Sequence, residues 1–493
     1  MSAAFVRLAF AARWWPGLRA WRAVLCRFFA FMFERRVYLL GICGTFMAGL
    51  ACLARELGCE VGGCDKGAWP PMSEQLAKNR IAFDTRCRAD AAAGGYDRYI
   101  IGNALSRGDE LVEALLDHRL PVVSGPQWLY EAVLHQRRVL CVAGTHGKTT
   151  ASAMLAWILE FAGMTPGFLI GGAPVDFDTS ARLGQSDLFV IEGDEYDTAF
   201  FDKRSKFVHY RPQVLVLNNL EFDHADIFDD LETIKTQFHH LLRTLPGGGL
   251  VVARAGDANL RSVLERGVWS ELQTFGLQGE DADWQARASD GGGFEVYHLG
   301  EYAGVCDWSV PGEHNIANAV GAVAAAYRVG VPVAASLEAL GRFHGVRRRL
   351  EVFAEAGGVT IYDDFAHHPT EIRASLGAVR ARLDGGRLLA VFEPRSNTIR
   401  AGRHNDLLGA SFDEADRLFF YRPPSLDWDP AAMLAQAAPH WTVHGEIGEL
   451  VEAVAGEAAA GDSVVVMSNG DFGGVHGLLE ERLGEGGAGA DAG

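Results

Sequence analysis

The chain has 493 residues, a length that predicts about three domains at the usual domain size. It is 48% hydrophobic and 22% charged, so it can bury several cores and does not have the composition of a disordered chain. The formal net charge of -18 argues against a nucleic-acid binder, because contacts from Lys and Arg to phosphate groups supply most of the affinity in that class.

The cysteine pattern is typical of a protein in a reducing compartment. The chain has 8 cysteines, with no CxxC pair and no histidines at the spacing of a zinc site. Most of these cysteines fall within apolar or strand-like stretches. We therefore expect buried free thiols and a cytoplasmic location.

Residues 1–36 form an arginine-rich extension that differs from the rest of the chain. Its apolar run FFAFMF is far shorter than the roughly 20 residues of a spanning helix, and no small-residue cleavage site follows it. The extension is either a peripheral membrane anchor or an over-extended reading frame whose natural start is Met32. We favour the second interpretation, and so expect a segment that is disordered or not translated, with no stable membrane association.

Residues 37–136 are predicted to form a first domain with a small parallel sheet. The stretch RVYLLGICGTFMAGLACLARELGCEVGGCD predicts a strand, a glycine turn, a helix and a second strand. Gly41 and Gly44 would let the backbone approach a phosphate at the helix N-terminus. The glycine spacing is GxxGxxxxG and not GxGxxG, so tight packing is an alternative and a dinucleotide site is weakly supported. Further strands are predicted at YDRYIIGNAL and LPVVSG.

Residues 137–343 are predicted to form a second domain, in which three apolar strands each end in a polar cluster. These strands lie in RRVLCVAG, LFVIEGDE and VLVLNNLEFDH. Because ligands of open parallel sheets bind at the carboxyl ends of the strands, we expect the three clusters to converge on one site.

The stretch GTHGKTT follows the first of these strands and predicts a phosphate-binding loop. Backbone amides near Gly144 and Gly147 would bind a polyphosphate, Lys148 would reach its β and γ oxygens, and the Thr149 hydroxyl would hold Mg²⁺. Only Thr145 and His146 separate the first glycine from GK, whereas the common loop has four residues there. A turn without function is the alternative.

Two further residues are candidate metal ligands. Glu192 ends the second strand, in EGDEYD, where a magnesium ligand would lie, although a solvated acidic loop explains such a residue as well. His224 ends the third strand beside Asp223, so it has an orienting partner and could bind a metal or accept a proton. A purely structural histidine is the alternative.

The helix predicted at EHNIANAV places His314, Asn315 and Asn318 on one face. Three polar side chains on an otherwise apolar helix need partners. Contacts with a base or ribose would satisfy them, and helix capping is the alternative.

Residues 344–484 are predicted to form a third domain with a regular alternation of strands and helices. RRRLE contributes a cluster of cations and YDDFAHHPTE contributes Asp364 at the end of a strand. FEPRSNTIRAG and SNGDFGG add polar side chains suited to a zwitterionic substrate, unless they are solvated loops. Residues 485–493 are predicted to be a flexible tail.

Taken together, GTHGKTT, EGDEYD, NNLEFDH, HNIAN, RRRLE and DDFAHHP resemble the Mur ligases, the ATP-dependent amide-forming enzymes of bacterial cell-wall precursor synthesis. The resemblance covers about residues 37–483. It implies an α/β architecture of three domains, with Rossmann-like N- and C-terminal domains and a central P-loop ATPase domain. The N-terminal domain would bind a UDP-sugar, and the C-terminal domain would bind the incoming amino compound.

The resemblance also implies roles for individual residues. It assigns ATP binding to Gly144, Thr145, His146, Gly147, Lys148, Thr149, Thr150, Asn315, Asn318, Arg349 and Asp364. It assigns Mg²⁺ to Thr149, Glu192 and His224, and catalysis to Lys148, His224 and Arg349. It assigns the UDP-sugar to Gly41, Gly44, Thr45, Asp65 and Asn103, and the peptide to Arg395, Ser396, Asn397 and Asp471.

The substrates follow from the same comparison of motifs. GICGTFMAGLA resembles family members that use UDP-N-acetylmuramate itself. FEPRSNTIRAG, HADIFDDL and SNGDFGG resemble those that join it to L-Ala-γ-D-Glu-meso-diaminopimelate in peptidoglycan recycling. The alternative within the family is addition of free L-alanine in de novo synthesis. Outside it, we considered a folylpolyglutamate synthase, an NAD-dependent oxidoreductase and a nucleotide-regulated binding protein. We expect a monomer or a weak homo-oligomer.

Overall fold

The computed structural model of the chain describes residues 34–67, 72–289, 293–435, 437 and 439–487. The chain divides into two compact units, one that ends at Gln136 and includes Thr198–Lys203, and one that contains the remainder. The expectation for residues 1–33 lies outside the described residues. Among the residues that the structure describes, no helix is long and apolar enough to cross a bilayer.

The first unit is built on a parallel sheet with strand order β2-β1-β3-β4. Its strands are β1 (Arg36–Leu40), β2 (Glu60–Cys64), β3 (Arg98–Ile101) and β4 (Val122–Ser124), and its helices are α1 (Thr45–Glu56), α2 (Met72–Lys78), α3 (Glu110–Asp117) and α4 (Gly125–Ala132). The apolar run of β1 is buried from Val37 to Leu40, and its Tyr38 and Leu40 side chains pack against α3 on one face of the sheet. The carboxyl ends of β1, β2 and β3 therefore share one edge.

This unit begins before the predicted boundary at residue 37. Arg36 is the first residue of β1, and its guanidinium pairs with Glu60 at 3.1 Å. The Glu34 carboxylate accepts a hydrogen bond from the Trp128 indole at 3.2 Å. The basic composition of the extension concealed this boundary, because an arginine at the start of a strand looks the same in sequence as one in a basic tail.

Cys64 and Cys87 are joined by a disulfide, with their Cα atoms 5.2 Å apart. The prediction of free thiols is therefore wrong for this pair, and it is correct for the five other cysteines that the structure describes. The two residues meet because the segment around Asp84 runs beside the end of β2, with a hydrogen bond from the Asp84 amide to the Gly63 carbonyl. A separation of 23 residues gave no indication of this contact.

The second unit contains a ten-stranded sheet with the order β16-β15-β14-β13-β12-β11-β5-β8-β6-β7. Its strands are β5 (Arg138–Ala143), β6 (Gly167–Leu169), β7 (Ala181–Arg182), β8 (Leu188–Gly193), β11 (Val214–Leu217), β12 (Leu250–Arg254), β13 (Glu271–Leu277), β14 (Trp284–Ala288), β15 (Phe294–His298) and β16 (Glu301–Cys306). A short hairpin, β9 (Asp197–Ala199) and β10 (Asp202–Ser205), follows β8 in the chain, and its residues Thr198–Lys203 belong to the first unit. The helices of this part are α5 (Lys148–Phe161), α6 (Leu231–Leu242), α7 (Ala258–Leu264), α8 (Glu313–Arg328) and α9 (Val333–Leu340).

Helices α5 and α8 contribute most of the helical side of the main core, together with inward side chains of the sheet. Both helices are rich in alanine on their buried faces, which allows close approach of their backbones. The N-terminus of α5 follows β5 in the chain. The N-terminal part of α8 lies near the same edge of the sheet, where Asn318 accepts a hydrogen bond from the Asn218 side chain after β11.

A six-stranded sheet with the order β17-β18-β22-β19-β20-β21 forms the C-terminal half of the second unit. Its strands are β17 (Glu351–Ala356), β18 (Val359–Asp364), β19 (Leu388–Phe392), β20 (Arg417–Tyr421), β21 (His440–His444) and β22 (Ser463–Met467). Its helices are α10 (Pro369–Arg380), α11 (Asn397–Arg400), α12 (Asn405–Leu408), α13 (Pro430–Leu434), α14 (Ile447–Glu457) and α15 (Val475–Gly487). Among the described strands of this sheet, only β17 is antiparallel to its neighbour, and separate apolar cores cover the two faces. The predicted α/β class with parallel sheets is confirmed.

The last helix extends beyond its predicted end. Helix α15 continues to Gly487, so residues 485–487, predicted to belong to the tail, are helical. Leu479 and Leu483 anchor this helix on the sheet through an apolar cluster, and the glycines that follow do not end it at residue 484. The rest of the predicted tail lies outside the described residues.

The disulfide predicts a difference in thiol count and in stability. We expect the protein, unfolded without reductant, to show two fewer titratable thiols than after reduction. Closing a loop of this length removes unfolded-state entropy worth about 3 kcal/mol, so reduction should lower the free energy of unfolding by an amount of that order. A Cys87→Ser variant serves as the control, because reductant should change neither its thiol count nor its stability. Equal counts for the wild type before and after reduction would contradict the bond.

Candidate active site

Three parallel strands bring the predicted polar clusters to one edge of the ten-stranded sheet. Strand β5 lies between β11 and β8, with all three parallel. The loop of GTHGKTT follows Ala143 at the end of β5, Glu192 lies at the end of β8, and Asn218 follows the end of β11. The predicted convergence of these clusters is observed.

The short loop after β5 is held in shape by the loop after β11. Gly144 and Gly147 have φ values of +149° and +76°, which side chains disfavour. The Asn219 side chain accepts a hydrogen bond from the His146 amide at 2.7 Å and donates one to the His146 carbonyl at 3.1 Å. The loop is therefore preorganised by protein contacts.

Lys148 begins α5 and turns its amine back across the loop. Its Nζ donates to the carbonyls of Gly144 and Thr145 at 2.7 and 3.0 Å, and it lies 2.9 Å from the Glu195 carboxylate. Burial by itself lowers the pKa of this ammonium, but the nearby carboxylates, led by Glu195, outweigh burial and raise the pKa. Lys148 is therefore a fixed cation at the mouth of the loop.

Thr149 and Glu192 form the pair predicted to bind Mg²⁺. The Thr149 hydroxyl lies 3.0 Å from both oxygens of Glu192, and the Gly171 amide donates to the same carboxylate at 2.7 Å. Withdrawal from water raises the pKa of the Glu192 carboxyl. A hydroxyl and a carboxylate are the oxygen donors that Mg²⁺ prefers, so this donor set fits the ion.

His224 lies on the other side of Glu195. Its Nε2 is 3.0 Å from a Glu195 oxygen, and its backbone has a positive φ of 56°. Burial lowers the pKa of this imidazole, and the pKa is nonetheless raised because Glu195 and Asp223 favour the charged form. Glu195, only 1% exposed, thus joins Lys148 to His224. The predicted set of site residues omitted Glu195.

A cavity of about 450 Å³ opens beside the loop. It is lined from the ten-stranded part by residues that include His146, Gly147, Thr150, Asn218, His314, Asn315 and Asn318, and from the C-terminal half by Arg349, Asp364 and Glu371. Arg254, Phe275 and Glu280 also line it and were not predicted. Its size and mixed lining suit a nucleotide-sized ligand.

The asparagines of α8 hold the loop in place as well as line the cavity. The Asn318 side-chain oxygen accepts a hydrogen bond from the Asn218 side-chain amide at 2.8 Å. The Asn318 side-chain amide donates to the Asn315 side-chain oxygen at 3.2 Å. The Asn315 side-chain amide also donates to the Pro311 carbonyl, before the helix, at 2.6 Å, and no side chain caps the N-terminus of α8. Contacts within the protein therefore satisfy these side chains without helix capping, and a contact with a base or ribose stays a prediction.

Arg349 and Asp364 reach the cavity from the C-terminal half. The Asp364 carboxylate accepts hydrogen bonds from the amides of Leu350 and Ala366, both at 2.7 Å, which fixes the turn that carries Arg349. Burial raises the pKa of Asp364 to about 6. The Arg349 guanidinium lies 3.7 Å from Glu371, so its charge is shared between the cavity and that carboxylate.

The residues predicted to bind a peptide are only partly brought together. Arg395 follows β19, Asp471 follows the adjacent β22, and the two side chains pair at 3.2 Å on the exposed surface. The Ser396 hydroxyl accepts a hydrogen bond from the Ile399 amide at 3.3 Å and so caps α11, a structural task. Asn397 is the first residue of that helix.

The residues predicted to bind the UDP-sugar lie at one edge of the sheet in the first unit. Gly41 and Asn103 follow β1 and β3, and Gly44 and Thr45 begin α1. The Asp65 carboxylate, after β2, accepts a hydrogen bond from the Cys43 amide at 2.8 Å. This contact fixes the glycine turn, and an Asp65 role in binding stays a prediction.

Sequence reasoning missed several acidic residues that organise the site. Glu195 lies within the quoted motif EGDEYD and Glu371 within YDDFAHHPTE, but nothing in either motif distinguishes these acids from their neighbours. Glu221 similarly lies in NNLEFDH. The available signal was the concentration of acids near a lysine and several histidines, because a buried ammonium or imidazolium needs opposite charges close by.

Comparisons with known proteins agree over most of the chain. Residues 36–137, 142–326 and 348–470 match the models described as "Mur ligase family, catalytic domain", "Mur ligase middle domain" and "Mur ligase, glutamate ligase domain". The chain is 51% identical to the UDP-N-acetylmuramate--L-alanyl-gamma-D-glutamyl-meso-2,6-diaminoheptandioate ligase of Escherichia coli (strain K12), with 91% of this chain and 98% of the relative covered.

Two further comparisons agree with these matches. The chain is 33% identical to the UDP-N-acetylmuramate--L-alanine ligase of Paenarthrobacter aurescens (strain TC1), with 91% of this chain and 97% of the relative covered. Among solved structures, it is 41% identical to a murein peptide ligase from Psychrobacter arcticus 273-4, with a TM-score of 0.72 and coverage of 91% of this chain and 99% of the other.

Replacing Gly147 by alanine should impair nucleotide binding. A Cβ there would lie 2.5 Å from the Asn318 side-chain oxygen and 3.1 Å from the Asn218 side-chain nitrogen. The φ of +76° would add backbone strain for any residue with a Cβ. We expect ADP affinity, measured by calorimetry, to fall by at least about tenfold, or roughly 1.4 kcal/mol. Gly163→Ala is the matched control, because Gly163 has a φ of +74° and no neighbour within 4 Å. It should lose stability and keep its ADP affinity.

The stability of the protein should depend on pH through His146. Burial lowers the pKa of its imidazole, but Glu371 and Glu221 outweigh this effect and raise the pKa from 6.5 to about 9. The stabilisation is complete below pH 6.5 and is lost as pH rises to about 9, with a maximum of roughly 3 kcal/mol. Urea unfolding of wild type and His146→Gln between pH 6 and 9.5 measures it. A His146→Gln profile parallel to that of the wild type would contradict this assignment.

Proposed function

The chain belongs to the Mur ligase family, and on this premise we propose that it is an ATP-dependent, ADP-forming ligase of peptidoglycan recycling. It joins the lactyl carboxylate of UDP-N-acetylmuramate to the amine of L-Ala-γ-D-Glu-meso-diaminopimelate. The observation that carries the ligase chemistry is the fixed Lys148 ammonium at the start of α5, beside a nucleotide-sized cavity. The acceptor is supported by the 51% identity to a tripeptide ligase over nearly its whole length.

The proposed reaction has two steps, phosphoryl transfer to the carboxylate and then amide formation. A lactyl carboxylate oxygen attacks the γ-phosphorus of ATP, the bond to the β-phosphate oxygen breaks, and an acyl phosphate and ADP form. The peptide amine then attacks the acyl carbon, loses a proton, and inorganic phosphate leaves from the tetrahedral intermediate. Positioning and charge neutralisation supply most of the catalysis of the first step.

We propose the following roles for the chain's own residues in that step. The amides of the loop and the Lys148 ammonium bind and neutralise the transferring phosphoryl group. Glu195 keeps Lys148 protonated and holds His224 beside it. Arg349 reaches the same cavity from the C-terminal half and adds a second cation.

The metal assignment is also a proposal. Thr149 and Glu192 would hold Mg²⁺, which when bound neutralises charge on the β- and γ-phosphates. His224 would contribute to a second Mg²⁺ position. Its Nε2 now lies 3.0 Å from Glu195, so His224 would have to give up this contact and its proton to hold the ion.

The assignments of the outer domains follow the same premise. We propose that residues 37–136 bind the UDP-sugar through the edge that carries Gly41, Gly44, Thr45, Asp65 and Asn103, that residues 137–343 bind ATP, and that residues 344–484 bind the peptide through Arg395, Asn397 and Asp471. Because both nucleotide substrates are cytoplasmic compounds, we propose a cytoplasmic enzyme without stable membrane association, acting as a monomer or weak homo-oligomer.

An ADP-release assay with UDP-N-acetylmuramate tests this function. The tripeptide should support ADP release with a kcat/KM at least about 100-fold above that of free L-alanine, and mass spectrometry should find the amide product. Lys148→Ala should lower kcat by on the order of 10² to 10³, as loss of a transition-state charge does. Lys78→Ala, an exposed lysine of the first unit, should retain wild-type rates.

Three results would contradict the assignment. Comparable use of L-alanine and tripeptide would favour the L-alanine-adding alternative. Absence of ADP release with both substrates present would exclude a ligase. A Lys148→Ala protein with a normal rate would remove the proposed role of the loop.

A further inference from the structure

The His146 side chain of the phosphate loop does not face the same way as its neighbours. Lys148 and Thr149 turn toward Glu195 and Glu192 of the ten-stranded part. The His146 imidazole, in contrast, lies between two carboxylates, with its Nε2 3.4 Å from Glu221 and its Nδ1 3.3 Å from Glu371.

These two carboxylates come from different halves of the second unit. Glu221 lies on the loop after β11, whereas Glu371 lies in the first turn of α10 in the C-terminal half. The imidazole has a side-chain exposure of only 10%, and that of Glu371 is 12%. We call the contacts Glu221–His146–Glu371 the His146 bridge. It is a direct link between the phosphate loop and the C-terminal half.

Other contacts near the bridge also join the loop after β11 to the C-terminal half. The Thr370 hydroxyl, next to Glu371, donates to Glu221 at 2.6 Å. Further along, the Thr398 hydroxyl donates to the buried Asp223 at 2.7 Å and accepts from the Ala225 amide at 3.1 Å. The C-terminal half is thus docked on the loops that carry the phosphate chemistry, and not on a remote surface.

The contacts of Glu371 link the position of the C-terminal half to the phosphate loop. It lies at the N-terminus of α10, where the helix dipole favours a carboxylate, and it accepts a hydrogen bond from the His367 amide at 3.3 Å. Its carboxylate also lies 3.3 Å from the His146 imidazole, 3.3 Å from the His367 imidazole and 3.7 Å from the Arg349 guanidinium. If the C-terminal half moved away, His146 would lose one carboxylate and Arg349 would leave the cavity with the same segment.

A metal ion shared by His146, Glu221 and His368 is the competing explanation, because their donor atoms lie close together. The contacts argue against it. The His368 Nδ1 already accepts a hydrogen bond from the Thr370 amide at 3.2 Å, and the facing Glu221 oxygen already accepts one from the Thr370 hydroxyl. Both donor atoms therefore have protein partners, and a hydrogen-bonded bridge accounts for the geometry.

We propose that His146 is a positioning residue that couples docking of the C-terminal half to the shape of the phosphate loop. With Glu371 docked, the bridge fixes the loop so that Lys148 and Thr149 face the transferring phosphate. Phosphoryl transfer is thereby favoured when the C-terminal half also covers the site and excludes water from the acyl phosphate. This inference rests on the proposed ligase function and assigns His146 a task other than binding ATP through its ring.

A double-mutant cycle on His146 and Glu371 tests the proposal in the full-length protein. His146→Gln and Glu371→Gln should each lower kcat for amide formation by on the order of tenfold, and the double variant should also lose about tenfold, because each change breaks the same bridge. KM for ATP and ADP affinity should stay within about threefold, since a positioning residue acts on the docked state. Glu338→Gln, an exposed acid on α9, is the control and should keep wild-type kinetics.

The outcomes separate the alternatives. A double variant that loses on the order of 100-fold, or single variants with normal kcat, would overturn the coupling. A fall in ADP affinity of more than about tenfold in His146→Gln alone would make His146 a direct nucleotide ligand and also overturn it. Thermal unfolding of each variant identifies a folding defect. If His146→Gln is unstable, Glu371→Gln carries the test, because it leaves His146 paired with Glu221. A wild-type protein that releases no ADP would instead reject the proposed function.

Discussion

The structure of the site depends on the burial of one cation, the Lys148 ammonium, at the start of α5. A buried ammonium is costly unless opposite charges and hydrogen bonds compensate for its lost hydration. Here the Glu195 carboxylate and the carbonyls of Gly144 and Thr145 provide that compensation. Because Glu195 must in turn be held, His224 is drawn to its other side. The charge needed for phosphoryl transfer is therefore in place before a nucleotide binds.

The parallel sheet determines which residues can meet this cation. Strands β11, β5 and β8 are adjacent and run the same way, so the loops at their carboxyl ends share one edge. Each loop contributes a different component: the glycine turn after β5, the Glu192 carboxylate at the end of β8, and the Asn219 clamp after β11. The close fit of Gly147 against Asn318 adds the N-terminal part of α8 to the same edge.

The C-terminal half completes the site through the same loops. Its Arg349 and Asp364 line the cavity, and its Glu371 meets the phosphate loop at His146. A reaction that passes through an acyl phosphate must exclude water, since hydrolysis would consume the intermediate. The C-terminal half both covers the cavity and contacts the phosphate loop. One set of contacts therefore serves to exclude water and to position the loop. Glu371 pairs with His146 of the ten-stranded part and with Arg349 and His367 of the C-terminal half, so its position affects both halves.

Much of this protein was determined by the sequence alone. The alternation of apolar strands and helices predicted the α/β sheets, and GTHGKTT predicted a phosphate loop, because glycine backbone freedom and the position of a lysine are local properties. The tertiary structure decided which charged side chains pair with each other in the site. Glu195, Glu221 and Glu371 are ordinary acids in sequence, and only the packing of separate strand ends selects them from their neighbours. For the same reason the Cys64–Cys87 bond and the cap at Ser396 escaped prediction. Charges and thiols acquire their roles from what lies within about 4 Å, and separations of 23 to more than 200 residues along the chain carry no signal of such contacts.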